Sequence, residues 1–235
     1  MIITIPSYKR AGKVTTLDFL GDAFTKEEII IGTQTQEDYE AYQSAYGERA
    51  TVIFKDGNCV GDNRNSLLEY CQEHGIKECL QLDDDVRCIV TKANQKLKGK
   101  DFRDLMEKCF SMCRENDVTM FGGYCCENPF MMSRTAKPNI IVGMLCGILD
   151  TSIRYDATFR IKEDYELSLR LMSRGKRVIR FNSFGASAAH KTAGGCSADW
   201  LSKEYEQWAQ LLVEAYPDLV KLNPSKKGEI KFIGK

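Results

Sequence analysis

Three consecutive aspartates, Asp83, Asp84 and Asp85, follow the apolar stretch that contains Leu80 and Leu82. Carboxylates are rarely buried without a partner, so their place directly after a buried strand needs a reason. In an extended chain Asp83 and Asp85 face one side and Asp84 the other. Carboxylates held together need a cation or protons, and Mg²⁺ and Mn²⁺ take such oxygen ligands. A charged turn with helix-capping aspartates is the alternative, and the triplet alone leaves both interpretations open.

Two further places in the sequence could act with these aspartates. His190, one of only two histidines, lies in a loop of small residues, "GASAAHKTAGGC", from which an imidazole could reach a metal ion. Glu163 and Asp164 begin a predicted helix, where the helix dipole favours anions, so helix capping is one interpretation of them. Adjacent acids at a loop-to-helix junction are also placed to take the proton of a substrate hydroxyl.

The elements that must position these residues alternate regularly in the first half of the chain. Apolar strands rich in β-branched residues are predicted at "MIITIP", "EEIIIG", "ATVIFK" and "ECLQL", with one helix between each pair. This order is typical of βαβ units and a mostly parallel sheet. Ligands of such sheets bind beyond the carboxyl ends of the strands, which is where the aspartates stand.

The second half is less regular but continues the same class of fold. Helices are predicted at "DFRDLMEKCFSMCREN", with Asp101 as N-cap, at "KEDYELSLRLMSRG", and from about Asp199 to Tyr216. Strands are predicted at "VTMFGGY", "NIIVGMLCGILD" and "KRVIRFN". No repeat, low-complexity linker or domain boundary interrupts the chain, so one α/β domain over residues 1–235 is predicted.

Composition excludes several other classes of protein. With 43% hydrophobic and 28% charged residues, the chain has the balance of an ordinary globular protein. No apolar run is long enough to span a bilayer, and the first residues show no export signal, so a cytoplasmic protein is predicted. Ten cysteines without paired CxxC units predict reduced thiols and disfavour structural zinc.

The charge balance limits how this chain could bind nucleic acid. It carries 33 basic and 33 acidic residues, which argues against binding through one large basic surface. Two lysine-rich stretches, residues 91–103 and 221–235, are interpreted as a solvated loop and a solvated tail. A brief contact with nucleic acid through one of these local patches stays open.

Taken in order, "IPSYKR", "GDNRN", "LQLDDD", a glycine-bearing strand, "KEDYEL" and a late histidine resemble the motifs of GT-A fold glycosyltransferases. Within that fold the chain resembles the phage TET-associated glycosyltransferases, which are implicated in placing sugars on hydroxymethylated pyrimidines of DNA. The resemblance covers roughly residues 1–195. It implies a single GT-A-like (Rossmann-like) domain with a nucleotide-sugar half (about 1–90), an acceptor half (about 91–216) and a basic C-terminal tail (217–235).

The resemblance also implies a role for each matching residue. The expected donor-binding residues, which would hold the nucleotide sugar, are Ile5, Pro6, Ser7, Tyr8, Arg10, Gly61, Arg64, Asn65, Asp83 and Asp84. The expected ligands of a Mn²⁺ or Mg²⁺ ion are Asp83, Asp85 and His190. The acidic pair Glu163 and Asp164 would be catalytic, with Asp164 as the base of an inverting reaction and Glu163 capping the helix, while Gly143 and Gly147 would flank the acceptor. If the reaction retains the anomeric configuration, Asp164 positions the acceptor instead.

The predicted function is therefore a metal-dependent transfer of a sugar, glucose being expected, from a UDP-sugar to a hydroxyl group. The expected acceptor is 5-hydroxymethylcytosine in phage DNA, in the host cytoplasm and without membrane contact. Alternatives are the same fold acting on a polysaccharide or protein, a nucleotidyltransferase, or a binding module without activity. A nucleotidyltransferase usually has a glycine-rich basic loop after its first strand, which "SYKRAGK" resembles only faintly.

Overall fold

Four parallel strands form one half of the central sheet. The computed structural model describes residues 1–188 and 198–234, with residues 198–204 described by their backbone alone. The parallel strands are β1 (Ile2–Pro6), β2 (Ile29–Thr33), β3 (Thr51–Phe54) and β4 (Cys79–Leu82). They lie in the order β3-β2-β1-β4, so the polypeptide segments that follow β1 and β4 emerge side by side at one edge of the sheet.

The other half of the sheet is mixed. Its strands are β5 (Val86–Thr91), β6 (Lys96–Leu97), β7 (Val118–Tyr124), β8 (Ala136–Pro138), β9 (Leu145–Ile148) and β10 (Arg177–Ala188). Strand β9 runs antiparallel between β4 and β7, and the order continues through β10 and β5 to β6, with β8 pairing beside β10. The predicted α/β class with a central sheet flanked by helices is confirmed.

Helices cover both faces of this sheet. The described residues form six α-helices: α1 (Thr15–Leu20), α2 (Gln36–Tyr46), α3 (Val60–Glu73), α4 (Gly99–Glu115), α5 (Glu163–Ser173) and α6 (Ala198–Ala215). Alternate residues of a strand face opposite sides, so Ile29 and Ile31 of β2 enter one hydrophobic cluster and Ile30 enters the other. None of the described helices is both long and apolar enough to cross a bilayer.

Several boundaries differ from the sequence predictions. Helix α4 begins two residues before Asp101, with Lys98 at its N-cap position. Only Leu145–Ile148 of "NIIVGMLCGILD" is a strand. The strand predicted at "KRVIRFN" continues to Ala188, because β10 pairs with β7 and β8 over its first half and with β5 over its second. These partners come from distant parts of the sequence, so local periodicity does not report them.

The C-terminal tail forms a hairpin packed on the domain. Strands β11 (Val220–Leu222) and β12 (Ile230–Phe232) pair antiparallel, and Val220 and Ile230 are buried against α6. An isolated hairpin is marginally stable, so this packing is what holds it. The interpretation of residues 221–235 as a solvated tail is therefore wrong for Ile230, while Leu222 and Ile233 are exposed. Residues 91–103 likewise contain β6 and the start of α4 as well as loop.

Candidate active site

A cavity of about 760 Å³ opens beyond the carboxyl ends of β1 and β4. Four segments form its walls: the loop after β1, the start of α3, the aspartate turn between β4 and β5, and the start of α5. Eleven of the residues predicted from the sequence lie on these walls, namely Pro6, Ser7, Tyr8, Arg10, Arg64, Asp83, Asp84, Asp85, Gly143, Glu163 and Asp164. The volume is in the range of small-molecule sites in proteins, about 300–1,000 Å³.

Two arginines hold the three aspartates of the turn. Arg64 Nη2 donates to Asp83 Oδ1 at 2.7 Å, and Arg10 Nη1 donates to Asp84 Oδ1 at 2.5 Å and lies 3.3 Å from Asp85 Oδ2. Because the chain turns here, Asp84 and Asp85 share Arg10, whereas an extended chain would point them to opposite sides. Burial raises the pKa of Asp84, while a hydrogen bond from Ser7 and the charge of Arg10 oppose that rise.

Arg64 joins the aspartate turn to the start of α5. Its side chain is only 3% exposed, and besides Asp83 it contacts Glu163, with 3.2 Å between Arg64 Nε and Glu163 Oε1. Burial would lower the pKa of this guanidinium, but neighbouring groups, Asp83 foremost, raise it overall. Removing this buried cation would leave two carboxylates without their partner.

Glu163 and Asp164 are adjacent but stand in different surroundings. Glu163 is 6% exposed and turned toward Arg64, and burial, reinforced by the charge of Asp164, raises its pKa to about 8. Asp164 is half-buried, and its two oxygens accept from the backbone N–H groups of Gly143 (2.6 Å) and Tyr165 (2.8 Å). Asp164 thus also accepts from the backbone of the first turn of the helix, a role expected for Glu163. Burial also raises the pKa of Asp164, against these two hydrogen bonds and Arg64.

Four predicted site residues lie behind the cavity walls in the described part of the chain. Ile5 is fully buried in the core, and Asn65 exchanges hydrogen bonds with the backbone of Tyr155. A Cβ on Gly61 would meet Ala157 Cα at 3.5 Å, and one on Gly147 would meet Phe121 Cε1 at 2.0 Å. None of these four residues lines either described cavity, and their predicted roles at the donor and acceptor sites stay predictions. His190 lies outside the described residues.

Other cavity residues were missed from the sequence. Asn63 is buried, and its amide donates to the carbonyl oxygens of Ser7 (3.2 Å) and Gly32 (2.9 Å), which fixes the loop after β1. A polar residue one turn before Leu67 on the buried face of a predicted helix was the available signal. Lys162 is 4% exposed with a left-handed φ of 65°. No local sequence pattern indicates that it lines the cavity, because its surroundings come from distant parts of the chain. A non-glycine residue in that conformation is strained, and such strain concentrates at functional sites.

A second cavity of about 480 Å³ adjoins the first. Asp83, Asp85 and Tyr165 line both, so the aspartate turn stands on the boundary between them. Its remaining walls come from Cys125 directly after β7, the 139–144 segment, β10 and the C-terminal hairpin. A site with two adjoining cavities and carboxylates between them can bring two substrates to one reacting centre.

The mixed sheet, with a cavity beyond the carboxyl ends of its parallel strands, is the GT-A-like fold of a transferase. The particular family follows from the sequence. A model of the TET-associated glycosyltransferase family matches residues 1–195, and the chain belongs to that family. The resemblance stated from the motifs is confirmed.

Solved structures with a similar fold include TarS of S. aureus, residues 1–349, in complex with UDP. The TM-score is 0.50 at 14% identity, and the match covers 91% of this chain and 66% of that one, just under two thirds of its length. A cytidylyltransferase from Leptospira borgpetersenii matches with a TM-score of 0.46 at 12% identity, covering 97% of this chain and 89% of that one. At these identities the likeness concerns the fold alone. Among curated proteins, no sequence match was found.

Proposed function

We propose that this enzyme transfers a sugar, glucose in the first instance, from a UDP-sugar to the hydroxymethyl group of 5-hydroxymethylcytosine in phage DNA, with a divalent metal ion. The observation that carries the proposal is the aspartate turn on the wall common to the two cavities. Family membership supports sugar transfer, and the UDP in the TarS structure supports UDP as the carrier. The family's link to hydroxymethylated pyrimidines supports the acceptor.

The larger cavity suits the donor. It lies beyond the carboxyl ends of parallel strands, where nucleotides bind in open α/β sheets. Tyr8 is 37% exposed on its wall and offers a ring face to the base, while Ser7 and Arg10 stand beside the aspartates. In this assignment the nucleotide lies along the loop after β1, and the diphosphate points toward the aspartate turn.

The aspartate turn fits a divalent cation. Three carboxylates face two arginines, so the turn keeps one net negative charge, which disfavours a bare diphosphate. Asp83 and Asp85 would hold Mn²⁺ or Mg²⁺ through hard oxygen atoms. The ion supplies positive charge that stabilises the departing diphosphate. No trio of His, Cys, Asp or Glu forms a ready metal site among the described residues, so His190 and donor oxygens would complete the ligand set.

Asp164 would take the proton of the acceptor hydroxyl. That oxygen forms a bond to the anomeric carbon while the bond from the sugar to the diphosphate breaks, and the proton passes to the carboxylate. The N–H groups of Gly143 and Tyr165 fix the orientation of Asp164. If the configuration is retained, the same contacts hold Asp164 as an acceptor-positioning group.

Incubation with UDP-glucose, Mn²⁺ and DNA that contains 5-hydroxymethylcytosine tests the proposal. We expect UDP release, and mass spectrometry of the digested DNA should show a nucleoside heavier by one hexose. Cytosine DNA and EDTA are the controls, and both should abolish transfer. UDP release that needs a polysaccharide or protein instead of DNA would contradict the acceptor. Pyrophosphate release from CTP or UTP would indicate a nucleotidyltransferase, and no turnover with any pair would leave only binding.

A further inference from the structure

One wall of the second cavity is formed by residues outside the range 1–195 that the family model matches. Its C-terminal side consists of residues beyond position 195, on and around the β11–β12 hairpin, namely Asn223, Lys226, Glu229, Ile230 and Phe232. The hairpin itself spans Val220–Leu222 and Ile230–Phe232. The cavity therefore combines part of the matched domain with a segment outside the matched region.

Side-chain contacts connect this wall to the start of helix α5. Glu229 Oε1 accepts from the hydroxyl of Tyr205 at 2.8 Å, and Glu229 Oε2 lies 3.5 Å from Lys162 Nζ. Lys162 directly precedes Glu163, and its ammonium also lies 3.6 Å from the centroid of the Tyr205 ring. These contacts link the hairpin to the residue that precedes α5 through one buried cation and one partly exposed carboxylate. The hairpin is thus held in register with the start of α5.

The chemistry of the cavity fits a flat, polar ring beside a phosphate. Ile140, Ile230 and Phe232 offer apolar surface to ring faces, and Asn139 and Asn223 offer amide groups to a ring edge. Arg180 and Lys226 bring positive charge to the same walls. Arg180 is itself stacked 5.1 Å from the centroid of the Tyr124 ring, which limits its freedom.

We propose that this second cavity binds a single pyrimidine base of the DNA acceptor, extruded from its stack, with Arg180 and Lys226 meeting adjacent phosphates. The inference rests on the proposed function and names its acceptor site. A volume of about 480 Å³ has room for one base with its sugar, whereas a base pair stacked in a duplex presents no free face to such walls. The hydroxymethyl group then lies near the boundary with the donor cavity, beside Asp83 and Asp85.

The form of the acceptor gives the first test. One oligonucleotide sequence with a single 5-hydroxymethylcytosine is supplied as a single strand, opposite an abasic site, and in a fully paired duplex. Extrusion of a paired base costs a few kcal/mol, so kcat/KM should be roughly tenfold or more higher for the first two forms. Equal values, or a preference for the paired duplex, would overturn extrusion.

The cavity walls give the second test. Phe232→Leu keeps an apolar side chain but removes the ring, and Arg180→Gln removes the charge. Each should raise the KM for the single-stranded oligonucleotide at least severalfold, while UDP affinity by calorimetry stays at the parental value. Matched controls are Phe54→Leu, an exposed phenylalanine on β3, and Arg177→Gln, an exposed arginine at the start of β10. These should leave the KM unchanged.

The two levels of the hypothesis fail in different ways. If the parent transfers sugar to DNA but the cavity variants keep the parental KM, the base binds elsewhere and this inference is overturned. If the parent binds UDP but modifies no form of the oligonucleotide, the DNA acceptor itself is overturned, and the cavity assignment with it. A change in UDP affinity in either variant would place the cavity on the donor side and also contradict the inference.

Discussion

At the scale of single residues, the two adjacent acids differ in what they can do. Glu163 is paired with the buried Arg64, whereas Asp164 is more exposed to the cavity and oriented by two backbone N–H groups. We expect Asp164→Asn, which is nearly isosteric but a poor proton acceptor, to lower kcat by roughly 10²-fold or more. UDP affinity should stay nearly parental. Glu163→Gln should reduce kcat less, and the reverse order of severity would assign the base to Glu163.

The raised pKa of Glu163 leads to a prediction of how the free energy of unfolding depends on pH. Its pKa is about 8 in the folded protein against 4.5 for an ordinary glutamate, so the folded chain binds more protons than the unfolded chain between these values. The free energy of unfolding therefore contains a contribution that is lost as pH rises through this window. Urea unfolding across the window should show a smaller fall for Glu163→Gln than for the parent. Glu107→Gln, at an exposed position, is the control, and parallel curves for all three proteins would contradict the shift.

At the scale of elements, two glycines predicted to flank the acceptor have separable roles. Gly147 lies on β9 against the ring of Phe121, and a Cβ there would stand 2.0 Å from Phe121 Cε1. Such overpacking costs about 1–3 kcal/mol, so Gly147→Ala should lower the free energy of unfolding by that amount. A Cβ on Gly143 would instead meet Arg64 Nη2 at 2.6 Å and Asp164 Oδ2 at 3.3 Å.

Gly143→Ala should therefore reduce kcat more than it reduces stability, since its Cβ would displace the side chain of Arg64 and crowd the carboxylate of Asp164. Chemical unfolding and steady-state kinetics on both variants separate the two effects. If Gly147→Ala instead loses turnover while its free energy of unfolding stays parental, Gly147 acts at the acceptor site and not through packing.

At the scale of the whole molecule, net charge is zero, so the proposed binding to DNA would depend on local lysines. Lys96 and Lys98 are exposed on and beside β6, and Lys226 and Lys227 are exposed in the loop of the C-terminal hairpin. A lysine bound to a phosphate releases a counterion, so replacing each such lysine should reduce the slope of log KM against log salt by about one. Two double variants test this on long DNA: one replaces Lys96 and Lys98, and the other replaces Lys226 and Lys227. We expect the hairpin pair to flatten the slope, because Lys226 lines the second cavity.

Donor hydrolysis without DNA should be unchanged in both variants, because neither cluster lines the donor cavity. Lys227 also pairs with Glu206 at 2.7 Å, so Glu206→Gln serves as a control for loss of that ion pair alone. Identical salt slopes for the parent and both paired variants would exclude these lysines from the DNA-binding surface.

The sequence by itself determined the parallel half of the sheet and the location of the site. Apolar strands alternate with helices along residues 1–82, and the parallel strands end at one edge of the sheet, so the sequence predicted Asp83 at that edge, where the structure has a cavity. The sequence also predicted that Glu163 and Asp164 begin a helix, because a helix start is a local pattern. These inferences needed only periodicity and the rule for where such sheets bind ligands.

Only the tertiary structure decided which partners each group has. Arg64 meets Asp83 and Glu163 across 19 and 99 positions of sequence, and Lys162 meets Glu229 across 67. The insertion of β9 between β4 and β7, and the packing of the hairpin on α6, are equally remote. Local patterns report contacts within a turn of helix or between alternating strand positions. Pairings across the chain depend on how all the elements pack together, and so does the assignment of a carboxylate to an ion pair, a hydrogen bond or a substrate.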